Sequence, residues 1–121
     1  MPKYKFDHIH LMSPDPRKTA EFYQEMFGAT LVSLHDRGNG RVMINLNLDG
    51  VNFLITKAAD EKQSGLAHFG LRVDDLKEAA GELKAKNVKF TREVTEVSPQ
   101  LKISFLQAPE NVPIELQEGT L

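Results

Sequence analysis

Cysteine is absent from this chain of 121 residues, which removes disulfides, thiolate nucleophiles and cysteine zinc sites. The absence suits a reducing compartment, and the protein is expected to be cytoplasmic. Long basic runs are missing too: fifteen Lys and Arg against seventeen acidic residues leave a formal charge of −2. That balance lacks the footprint of a nucleic-acid binder or of a protein drawn to anionic membranes. The opening residues MPKYKFDHIH hold no apolar h-region, and no apolar stretch approaches the length of a membrane span. With 40% hydrophobic and 26% charged residues, the composition is that of one globular domain, residues 1–121. The expected partners are a small molecule and a second copy of the chain, as a homodimer.

What is present is a pattern stated twice. Residues 3–12 alternate, with Ile9 and Leu11 on one face and Tyr4, Phe6, His8, His10 and Met12 on the other, the period of a strand. A helix is predicted next, with Asp15 as N-cap, Pro16 in the first position and Gly28 just past the end. Ala20, Tyr23 and Phe27 form its packing stripe, and Phe22 with Tyr23 reads as packing material. Strands are expected at 30–35, 41–48 and 51–57, the last two joined by an Asp49-Gly50 hairpin. His35, beside DRGNG, is expected in a loop.

After the polar linker KAADEKQSG the pattern restarts. Residues 66–73 alternate, Asp75 and Glu78 suit a capping box, and Asn87 suits the left-handed end of a second helix. Strands at 88–94, 101–107 and 112–117 follow, with APEN as a turn. His68 follows His8 by 60 positions, Leu83 follows Tyr23 by 60, and Glu115 follows Leu54 by 61. The fold class is therefore α+β: two tandem βαβββ modules, about 4–57 and 66–118, forming a curled mixed sheet cup with helices on the outer face.

On the face away from the helices the sequence collects His8, His10, Met43, Asn45, Asn47 and Leu54, then His68, Arg72, Ser104 and Glu115. If the modules meet about a pseudo-twofold axis, His8 and His68 face each other and Glu115 joins them. Two imidazoles and a carboxylate leave open positions on a divalent metal, as a catalytic ion needs. His10 points the same way and can serve as general base. Asn45, Arg72 and Ser104 are the candidate substrate contacts, Arg72 through its bidentate fork.

The repeat, DHIHLMSPD followed by FYQEMFGA, and HFGLRVDDL followed by PENVPIEL, resemble the vicinal oxygen chelate superfamily over residues 4–118. That group includes glyoxalase I, extradiol dioxygenases, methylmalonyl-CoA epimerase, fosfomycin-resistance enzymes and bleomycin-binding proteins. The resemblance implies that His8, His68 and Glu115 match the family's metal ligands, holding one Fe, Mn, Ni, Co or Zn ion. It also implies an enzyme that chelates a substrate through adjacent oxygens, with Glu115 or His10 moving a proton, as a glyoxalase- or epimerase-like lyase or isomerase. Glyoxalase-like members carry a fourth ligand, a glutamate, where this chain has Leu54. Three protein ligands are what extradiol Fe(II) or Mn(II) dioxygenases use, although those are usually about twice as long. Bleomycin-binding relatives, which sequester a ligand without metal, typically lack the ligands kept here.

Overall fold

The computed structural model describes residues 3–120. It is α+β, with eight strands and two helices. The described residues divide into two compact units, one of residues 8–67, the other of residues 3–7 and 68–120.

The first unit contains most of β1 (Lys5–Ser13), then α1 (Pro16–Phe27), β2 (Thr30–Asp36), β3 (Val42–Leu48) and β4 (Val51–Lys57). The strands lie in the order β2-β3-β4-β1, with β1 parallel to β4 and the other neighbours antiparallel. Asp15 caps α1 by accepting from the Lys18 amide at 3.2 Å, and Gly28 ends it at φ 74°. Asp49 and Gly50 both take positive φ, as a two-residue hairpin that follows the strand twist demands. Ala20 on α1 packs against Val42, Ile44, Leu46 and Ile55 of the sheet. Phe27, expected in that stripe, is 58% exposed. Tyr23 does pack there, its ring edge-on to Phe53 at 5.4 Å. His35 lies within β2, paired with Met43, and not in a loop.

The second unit repeats the plan with β5 (Gly65–Arg72), α2 (Leu76–Ala85), β6 (Lys89–Ser98), β7 (Leu101–Ala108) and β8 (Val112–Gly119). Its order is β5-β8-β7-β6, with β5 parallel to β8. Asp75 accepts from the Glu78 amide at 3.0 Å, and Glu118 from the Leu76 amide at 2.8 Å. Asn87 (φ 68°) closes α2, with Val88 donating to Leu83 and Asn87 to Lys84, the paired bonds of a Schellman end. Leu76 and Ala79 bury fully against Leu106 and Leu116.

Tyr4 and Phe6 depart from the expected face. Tyr4 borders a recess of about 570 Å³ on the helix side of the second unit, with Leu83, Val88, Leu106 and Ile114. Phe6 stacks on Phe69 at 5.9 Å. The Tyr4 phenol is held above its ordinary range, by burial first and by Glu82 second. Among the described residues no helix is long and apolar enough to cross a membrane.

Candidate metal centre

Strand parity builds each half of the candidate site. In the first unit Ile9, Leu11, Phe53 and Ile55 occupy the α1 side. The alternate positions therefore face away, and the registers align them: His10 beside Leu54, Leu54 beside Asn45, Asn45 beside Ser33. His10 Nε2 and Thr56 Oγ1 are hydrogen-bonded at 2.8 Å, which fixes the ring. Asn45 donates to Ser33 Oγ at 3.0 Å. His8 lies two residues before His10 on the same strand and is buried at 7% exposure.

In the second unit β8 pairs with β5 and with β7, setting Glu115 beside Gly70 on one side and Phe105 on the other. His68, two residues before Gly70, shares that face. Its Nε2 stands 3.6 Å from Glu115 Oε1, with both side chains largely buried. That is too long for a hydrogen bond. It is close to the ~3–3.5 Å between two donors that each reach one ion at about 2.1 Å. One imidazole and one carboxylate are also donors that suit Fe, Mn, Co, Ni or Zn. The pair fits a divalent ion.

Phe105 was not anticipated. Its ring meets the His68 ring edge-on at 5.1 Å, at 86°, and so holds the imidazole plane. The signal was available, because Phe105 follows Asn45 by the same 60 positions that separate the two histidines.

Ser104 requires correction. It pairs with Leu116, a core residue on the α2 side, and is fully buried there. It is not a substrate contact. Its hydroxyl has no hydrogen-bond partner among the described residues, and leaving such a group unsatisfied costs roughly 1–3 kcal/mol. Ser104→Ala is therefore expected to raise stability by about 1 kcal/mol in urea titration, with metal content unchanged.

Arg72 is also committed elsewhere. Its Nε and Nη2 donate to Asp7 Oδ1 at 3.0 and 2.8 Å, and its Nη1 to the Gly119 carbonyl. The fork that was to hold substrate ties the N-terminal segment to the second unit.

Comparison with known proteins follows the same lines. The profile of the Glyoxalase/Bleomycin resistance protein/Dioxygenase superfamily matches residues 5–116. Uncharacterized protein YaeR of Escherichia coli (strain K12) is 29% identical over 122 residues, covering 92% of this chain and 93% of YaeR. Mitochondrial methylmalonyl-CoA epimerase of Homo sapiens is 25% identical over 130 residues, covering 95% of this chain and 74% of that protein. The crystal structure of hypothetical protein BH1468 from Bacillus halodurans C-125 has a TM-score of 0.79 at 19% identity, covering 98% of this chain and 96% of that one. This last likeness is one of fold.

Proposed function

This chain belongs to the Glyoxalase/Bleomycin resistance protein/Dioxygenase superfamily, and from that premise we propose that it is a divalent-metal enzyme of the epimerase or isomerase type. The observation that carries the reading is the His68–Glu115 pair, two metal-competent donors 3.6 Å apart on one sheet face. His8, the repeat equivalent of His68, is the third ligand. When bound, the ion acts as a Lewis acid toward a substrate with two adjacent oxygens.

The chain's own residues supply the rest. His10, its ring fixed by Thr56, takes a proton from the carbon beside a carbonyl and returns it, with Glu115 as the second candidate. Phe105, edge-on to His68, adds an apolar wall that restricts water beside that imidazole. Similarity to human methylmalonyl-CoA epimerase makes a 2-substituted malonyl thioester the first substrate to try.

Hydrogen–deuterium exchange at the acidic carbon tests this directly, followed by NMR in D₂O over a panel of 2-acyl thioesters and α-hydroxy ketones. Exchange is expected with metal-loaded protein and is expected to fall at least ~100-fold in His10→Ala. No exchange across the panel by fully loaded protein would sink the isomerase reading.

Leu54 favours a second reading. It leaves three protein ligands, the set an Fe(II) or Mn(II) dioxygenase uses. Oxygen uptake with catechols by anaerobically iron-loaded protein distinguishes it.

A further inference from the structure

The repeat fills one place in the first unit and leaves it open in the second. On the helix side of the first unit Tyr23, Leu48 and Phe53 pack against the core, with the Tyr23 and Phe53 rings edge-on. Their repeat equivalents are Leu83, Ala108 and Ile114. The registers agree: Phe53 pairs with Ile9 and Leu46, and Ile114 pairs with Phe69 and Leu106, which lie 60 positions later. Two rings and a leucine have thus become a leucine, an isoleucine and an alanine. The space they vacate is the recess of about 570 Å³, which all three smaller side chains line.

The recess has the size and lining of a small-molecule site. Such sites run to ~300–1,000 Å³ and are mostly apolar, with a few polar groups that orient the ligand. Leu71, Val88, Leu106 and Leu116 complete the apolar wall, and Lys89 is the one formal charge in a lining that contains no carboxylate. Nearby cations are taken, Lys84 by Glu93 and Lys86 by Glu82 at 3.2 Å. Lys89, exposed at the rim, has no ion-pair partner among the described residues. Glu115 lies between Ile114 and Leu116 on β8, so the recess is on the other face of that strand from the His68–Glu115 pair. It is a separate site.

We propose that the recess binds a small amphipathic carboxylate, of the class of medium-chain fatty acids, with its chain against Leu83, Ala108 and Ile114 and its carboxylate at Lys89. The chain takes the place that Tyr23 and Phe53 hold in the first unit. One cation and no acid in the lining select an anionic end over a cationic one. Each methylene buried strengthens binding about threefold to fourfold. An exposed lysine adds no more than about fivefold. The apolar chain therefore carries the affinity, and Lys89 sets which end faces solvent.

Calorimetric titration of the purified chain with decanoate, kept below its micelle concentration, tests the proposal. One site per chain is expected, with octanoate roughly tenfold weaker and decylammonium weaker than decanoate. Leu83→Tyr combined with Ile114→Phe rebuilds the packing of the first unit and should abolish binding, with far-UV circular dichroism unchanged. Ala108→Leu alone should weaken it. If these variants misfold, methyl NMR of the wild type decides: decanoate should shift Leu83, Leu106 and Ile114 and leave Leu46 and Ile55 in place. The proposal is overturned if decanoate does not bind, or binds only after residues 1 and 2 are removed, since the chain's own end is then the occupant. It is equally overturned by decanoate binding that the filled variants leave intact, by methyl shifts confined to the first unit, or by decylammonium binding as tightly as decanoate.

Discussion

Purified protein is expected to carry close to one divalent ion per chain, and His68→Ala and Glu115→Ala are each expected to lose it. Removing one donor from a three-donor set leaves two, too few to compete with water for a divalent ion. Even an outer partner that merely orients a ligand is worth about 10–100-fold in affinity, so loss of a ligand should exceed 100-fold. His10→Ala is the informative control, since its ring is tied to Thr56. It should keep the metal while losing proton exchange. Binding to the folded state alone also stabilises it, by about 4 kcal/mol when free ion is a thousandfold above Kd. A chelator should therefore lower the melting temperature of the wild type and leave His68→Ala unmoved. Elemental analysis that finds no metal in the wild type, with none taken up on titration, removes the enzyme reading. The histidines would then be lining of a binding pocket.

Gly119→Ala is expected to destabilise the second unit strongly. Gly119 sits at φ 87°, and a Cβ there would stand 1.8 Å from the Gln100 carbonyl oxygen, a backbone atom that cannot swing aside. The same oxygen accepts the Thr120 amide, while the Gly119 carbonyl accepts from Arg72 and from Gln117. Relief of the collision thus disturbs three hydrogen bonds. A cost of more than ~3 kcal/mol is expected, a large part of the 5–15 kcal/mol that holds a domain together. Gly28→Ala calibrates it. That glycine has φ 74° and open space around its missing Cβ, so only backbone strain is paid, about 1 kcal/mol. Urea titrations of the two variants separate strain from collision. Equal costs would mean that the Gln100 strand end yields freely.

Local chemistry was legible in the sequence. The Asp15, Gly28, Asp75 and Asn87 ends of the helices, the Asp49-Gly50 turn and the doubled element order are each written in a few adjacent residues. What failed depended on parity carried too far, or on partners far away in the chain. In LKISFLQA the alternation of Leu101, Ile103 and Phe105 resembles a core face. The register nevertheless turns Ser104 and Leu106 toward α2 and Phe105 toward His68. Counting by twos cannot say which face is which when both carry apolar side chains, but the 60-residue repeat can. Arg72 could not be read at all, because its partner Asp7 lies 65 positions earlier. Phe27 was misjudged because a helical stripe says where a side chain points and not whether anything covers it.

The segment before His8 has a consequence for how the protein is made. Residues 3–7 belong by their contacts to the second unit, although the whole of the first unit separates them from it in the sequence. Residues 8–67 can gather as soon as they emerge, but Tyr4, Phe6 and Asp7 must wait for Leu83, Phe69 and Arg72. These contacts therefore reach back over more than half of the chain, 65 positions for Asp7 and Arg72, and suit a late event in folding. A fragment that starts at the polar linker would keep β5 but lack residues 3–7.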